Sequence, residues 1–139
     1  MKRALGLIAV AILAACSSSS NGSADIATGA LRDALAGRLS AFYDRLAPEI
    51  QSRTTREAFV TCMAKQSTGS SNNVTVTAAE TVKGAALTKA DGSTVNADTV
   101  AVRLATSQES LTVVVWIVDG RVAKIDAPAA NTVSCLTRL

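Results

Sequence analysis

The interval between apolar residues changes once along this chain, and that change limits what it can fold into. Leu31, Leu35, Leu39, Phe42 and Leu46 recur at helical spacing, which lines them up on one face of a helix. From Val74 onward the period is two. Val76 and Ala78 follow Val74 with threonines between them, and Val100, Val102 and Leu104 alternate with Ala101, Arg103 and Ala105. The segment 111–118 is an almost unbroken apolar strand. Helices that all precede the strands leave no crossover helices for parallel pairing, so the strands must run as an antiparallel meander. The expected fold class is α+β, with two or three N-terminal helices on one face of a curved antiparallel sheet of three or four strands.

Local signals divide this pattern into elements. The first helix is expected over 24–46, with Gly29 and Gly37 lowering its propensity and Pro48 closing it. A short turn of helix follows from Pro48. Thr54 and Glu57 have the spacing of a capping box, so a further helix should run to about Lys65, with Phe59, Cys62, Met63 and Gln66 on one face. Lys83-Gly84 reads as a bulge within a long strand, Asp91-Gly92 as a turn, and Asp119-Gly120 as a two-residue type I′ hairpin turn.

The last hairpin sets an expectation for the faces. The two-residue hairpin places Val114 and Trp116 with Ala123 and Ile125, and Val113, Val115 and Ile117 with Val122, Lys124 and Asp126. The first set is more uniformly apolar, so it is expected to meet the helices. Pairing Thr106 with Ser110 through a loop at 107–109 then brings Val100, Val102 and Leu104 to the helix side and leaves Arg103 outside, because burying an unpaired Arg is costly. This register leaves Val113, Val115, Ile117 and Val122 as an outer apolar strip. Monomeric domains seldom expose such a strip, so a second copy of the chain or another envelope protein is expected to cover it.

The N-terminus has a different character. Lys2 and Arg3 precede an apolar run at 4–15, interrupted only by Gly6. The run is shorter than the roughly 20 residues of a spanning helix and has the length of a secretory h-region. Leu13-Ala14-Ala15-Cys16 resembles the lipobox of bacterial lipoproteins. The resemblance implies a diacylglyceryl group on the Cys16 thiol, further acylation by palmitate-like chains, and removal of residues 1–15. The alternative is an N-terminal core helix that happens to contain a cysteine, but the run has no polar face to offer water. Ser17, Ser18, Ser19, Ser20, Asn21, Gly22 and Ser23 form a polar linker. The resulting organisation is a signal peptide at 1–15, a lipidated Cys16 with linker at 16–23, and one domain at 24–139. The implied location is the extracytoplasmic side of the cell membrane, held by a lipid anchor.

Composition narrows the partners and the chemistry. The formal charge is +3 from 14 basic and 11 acidic residues, and loss of Lys2 and Arg3 would leave the mature chain nearly neutral. No basic run is interleaved with aromatics, so nucleic acid is not an expected partner. There is no histidine, no metal-ligand spacing and no phosphate loop, so no cofactor or metal is expected. Of three cysteines, the lipobox resemblance claims Cys16. That leaves Cys62 and Cys135 as a disulfide pair in an oxidising compartment, with two separate buried thiols as the alternative.

The mature domain also resembles a nuclear-transport-factor-2-like domain, the fold shared by SnoaL-like and cystatin-like proteins. The resemblance lies in LRDALAGRLSAFYDRLAPEIQSRTTREAFVTCMAKQ, NVTVTAAETV and LTVVVWIVDGRVAKIDA. It implies a cone in which the helices close one side of the sheet and a cavity opens between them, with Tyr43, Phe59, Met63 and Trp116 as candidate lining. Catalytic relatives place Asp, His or Tyr in that cavity. Here Tyr43, Arg103 and Asp126 are the few polar groups in position to face it, and no pair of carboxylates shares a face. The expected function is a non-catalytic interaction or small-ligand-binding module. A SnoaL-like enzyme with an unidentified acid or base is the alternative.

Overall fold

The computed structural model describes residues 22–66, 73–127 and Cys135. Four helices precede four strands: α1 Ser23–Leu35, α2 Leu39–Asp44, α3 Pro48–Arg53, α4 Arg56–Gln66, β1 Thr75–Thr88, β2 Thr94–Ala105, β3 Ser110–Val118 and β4 Arg121–Asp126. The strands form one antiparallel sheet in the order β1-β2-β3-β4. This is the expected α+β class, with the helices before a curved sheet.

The expected single helix over 24–46 is two helices. Gly37 sits at φ +76, a left-handed conformation that ends helices and that glycine adopts without penalty. The amides of Gly37 and Arg38 turn back to the carbonyls of Ala34 and Asp33. The apolar face survives the break, because Ala27, Ala30 and Leu31 of α1 and Phe42 of α2 are all buried. The capping signal is displaced by one residue. Thr54 still belongs to the end of α3, its amide bonded to the Ile50 carbonyl. Its neighbour Thr55 caps α4 instead, its Oγ1 accepting from the Ala58 amide at 3.2 Å, and Glu57 is exposed.

The β3–β4 turn is the expected type I′, with Asp119 at φ +50 and Gly120 at φ +74. The Lys83-Gly84 bulge is present, with Gly84 at φ +71. A second irregularity falls at Ala79.

The expected facing of β3 is overturned. Val113, Val115, Ile117 and Val122 are buried against the helices, while Val114 and Trp116 lie on the outer face and are only half-buried. Two local features cause this. The β2–β3 loop holds four residues, because Ala105 pairs with Ser110. The Thr106 hydroxyl stabilises that loop by accepting from the amides of Gln108 and Glu109. One residue of slip exchanges the faces of a strand, so Val100 lies opposite Val115 and Val102 opposite Val113. The second feature is a bulge at Ala123. Ile117 pairs with Val122, but Trp116 pairs with Lys124. Val122 is pinned from its other edge, where its amide donates to the Arg45 carbonyl and its carbonyl accepts from the Ala47 amide, both at 2.8 Å. The chain takes up the extra residue at Ala123, which is fully buried. Val100 and Val102 still face the helices and Arg103 is still outside, as expected.

The core therefore lies between one sheet face and the helix layer. α1 touches all four strands. Phe42, Leu46, Ile50 and Phe59 interlock with Val100, Val102, Val115 and Val122, all essentially excluded from solvent. With two phenylalanines and one tyrosine in the chain, branched aliphatics fill most of this space.

Candidate functional site

The four candidate cavity residues do not converge. Tyr43 and Phe59 are buried together, ring centroids 5.5 Å apart, and Met63 packs against the same core. The Tyr43 hydroxyl donates to the Thr54 carbonyl at 2.6 Å and lies 3.1 Å from the Gln51 carbonyl. The Arg56 guanidinium sits 5.3 Å from the centre of its ring. Tyr43 thus ties α2 to the α3–α4 junction, a structural task that occupies its polar atom. Trp116 lies across the sheet from this cluster. Cys16 falls outside the described residues.

Two surfaces of the domain carry chemistry. The first is the outer sheet face. Val82, Thr99, Trp116 and Lys124 form a row across the four strands, and Ala101, Val114 and Asp126 lie beside it. Trp116 donates its indole N–H to Asp126 Oδ2 at 2.9 Å. Lys124 places its Nζ 3.2 Å from Asp126 Oδ1 and 5.5 Å from the centre of the indole. Val82 is 48% exposed. The face is a partly apolar surface of the curved sheet with a polar rim.

The second is a groove of about 530 Å³ at the end of the sheet that carries the β1–β2 and β3–β4 turns. Ala47, Pro48, Val95 and Val118 supply its apolar lining, and Glu49, Lys89, Asp119 and Arg121 its charges. Lys89 Nζ stands 3.0 Å from Glu49 Oε1. That hydrogen bond, followed by one from the backbone of Glu49 itself, holds the Glu49 carboxyl below the usual carboxylate range. A broader depression of about 690 Å³ runs along exposed α4, lined by Thr55, Glu57, Ala58, Thr61, Cys62 and Lys65.

Asp33 is the buried charged residue of the described part, and its role is structural. Its carboxylate receives Arg45 Nε at 2.7 Å and Arg38 Nε at 2.9 Å. Burial alone would raise its pKa, but the hydrogen bonds from Arg45 and Arg38 outweigh burial and hold it below the ordinary value. The Sγ atoms of Cys62 and Cys135 lie 2.02 Å apart, at disulfide distance, and would tie the tail to α4. Among the described residues no group of His, Cys, Asp and Glu is placed to hold a metal ion, and no helix is long and apolar enough to cross a membrane.

Comparison with family models, with curated proteins and with solved structures found no match. The groove residues do not stand together in the sequence because they come from three separate segments: the start of α3, the β1–β2 turn with the start of β2, and the β3–β4 turn. Pro48 and Asp119 each carried a local signal, one for the start of a helical turn and one for a hairpin turn, and neither signals a groove.

Proposed function

We propose that this chain is a membrane-anchored bacterial lipoprotein whose domain acts as a non-catalytic interaction module in the cell envelope. The anchor rests on Leu13-Ala14-Ala15-Cys16 and the serine-rich linker behind it. The observation that carries the interaction role is the outer sheet face. Trp116 is half-buried there, held in place by Asp126 and Lys124, with Val82 and Val114 alongside. Aromatic anchors with fixed orientation are what protein interfaces favour. The partner is another envelope protein or a second copy of the chain. The nuclear-transport-factor-2-like resemblance suits this reading, since the fold presents one open sheet face. Asp33, Asp44, Glu49 and Asp91 are all held below their ordinary pKa values, which suits ion pairing and turn formation better than acid catalysis at neutral pH.

Two measurements test the proposal. The intact mass of protein purified from membranes should show acyl groups on Cys16 and loss of residues 1–15; an unmodified N-terminus would sink the anchor. A photo-crosslinker at Thr99, beside Trp116, should trap a species of defined mass in intact cells, while one at Ser107 should not. Equal or absent trapping at both positions would remove the interaction surface.

A further inference from the structure

The tether and the groove leave the domain at the same end. Ser23 opens α1 and donates to Asp98 Oδ2 at 2.6 Å, and Ile26 lies against Gly120 at the β3–β4 turn. Arg32, near the other end of α1, donates to the Val76 carbonyl at 3.2 Å. Val76 pairs with Leu104, beside the β2–β3 loop at the opposite end of the sheet. The chain therefore enters the fold at the end where Glu49, Lys89, Asp119 and Arg121 ring the groove.

Between Cys16 and Ser23 the sequence allows a reach of roughly 25 Å when fully extended. β3 alone is about 30 Å long. A lipid on Cys16 thus keeps the groove end within a short span of the bilayer, while the β2–β3 loop stands a strand length farther from the tether. This step rests on the anchored reading above.

We infer that the groove docks on the membrane surface and takes a zwitterionic phospholipid headgroup of the phosphoethanolamine type. The groove balances two cations with two carboxylates. Lys89, beyond its bond to Glu49 Oε1, and Arg121, beyond its bond to the Asp44 carbonyl, keep further donors for a phosphate. Glu49 and Asp119 offer acceptors for the ammonium beside it. Pro48 and Val118 supply apolar surface at the glycerol level. A purely anionic headgroup would satisfy the cations and leave the carboxylates facing negative charge.

Hydrogen exchange read by mass spectrometry on the full lipidated chain tests this. In vesicles of phosphatidylethanolamine and phosphatidylcholine, amides at 89–96 and 118–121 should exchange at least about fivefold more slowly than in maltoside micelles, with 106–109 unchanged. Asp119→Asn with Arg121→Gln should return both turns to the micelle rate while circular dichroism stays the same. Equal rates in vesicles and micelles would overturn the inference, as would equal slowing at 106–109. Equal protection by phosphatidylglycerol vesicles would overturn the zwitterionic assignment. The intact mass of the same sample keeps the two readings apart. An unacylated chain removes both, and an acylated chain without protected turns removes only this one.

Discussion

Arg45 donates its Nε to Asp33 Oδ2 at 2.7 Å across the break between α1 and α2. The Asp33 side chain is 11% exposed, so its charge depends on this bond and on the one from Arg38. Because its folded pKa lies below the ordinary value, the unfolded chain takes up the proton first on acidification. The stabilisation is fully present above the unfolded value near pH 4 and is lost as pH falls through the folded value. Asp33→Asn should cost about 2 kcal/mol at pH 7 and flatten the fall in stability below about pH 5. Urea midpoints of both proteins across this range check it. Parallel acid limbs would show that other carboxylates govern the loss.

Gly29 makes room for the same guanidinium. A Cβ at position 29 would stand 3.0 Å from Arg45 Nη1 and 3.2 Å from Cζ. Arg45 is a flexible side chain, but Asp33 fixes its end. Replacing a helical glycine by alanine normally gains about 1 kcal/mol. Gly29→Ala should gain nothing in the native sequence and recover that gain in an Arg45→Ala background. The four corners of this double-mutant cycle, measured by urea denaturation, decide it. Additive effects would mean that the guanidinium moves aside at no cost.

How much of this was legible in the sequence depended on whether the signal was local. Asp119-Gly120 and Lys83-Gly84 behaved as their chemistry dictates, because positive φ at glycine is a property of the residue itself. The break at Gly37 was legible in principle, but the leucine spacing continued through it and outweighed it. The faces of β3 were not legible. They depend on a loop held by the Thr106 hydroxyl and on a bulge forced when Arg45 and Ala47 grip Val122 from far along the chain. Helical spacing put Phe59 and Met63 on the core side of α4, whereas Cys62, placed on the same face by that spacing, is half-buried beside the surface depression. The gathering of Glu49, Lys89, Asp119 and Arg121 was not legible, since only the completed fold brings those segments together.

Cys62 and Cys135 are 73 residues apart in sequence. α4 makes its main contacts with α2, and among its described side chains Phe59 alone is fully buried. A bridge closing a loop of this length is worth roughly 4 kcal/mol in the chain-entropy model. Reductant, or Cys62→Ser with Cys135→Ser, should lower Tm by more than about 10 °C. Alkylation under denaturing conditions should label neither cysteine before reduction and both after it. An unchanged Tm together with two free thiols would mean that the pair is not bridged in the purified protein.

The facing of β3 offers the sharpest contrast between adjacent positions. Val115 is fully buried opposite Val100, whereas Val114 is half-exposed on the outer face opposite Ala101. Lysine at 115 would place an ammonium in an aliphatic core with no partner, at a cost of several kcal/mol; lysine at 114 can extend over the outer face and should cost less than about 1 kcal/mol. Val115→Lys should therefore unfold the domain or abolish its expression, and Val114→Lys should fold. The single tryptophan gives a second readout that needs no mutation. Trp116 on the outer face should be quenched by acrylamide and by iodide alike, because Lys124 Nζ, 5.5 Å from the ring centre, offsets the charge of the Asp126 carboxylate that accepts the indole N–H. Asp126→Asn should raise iodide quenching while leaving acrylamide quenching in place. A blue-shifted, unquenchable Trp116 combined with a tolerated Val115→Lys would place the opposite face of β3 against the helices.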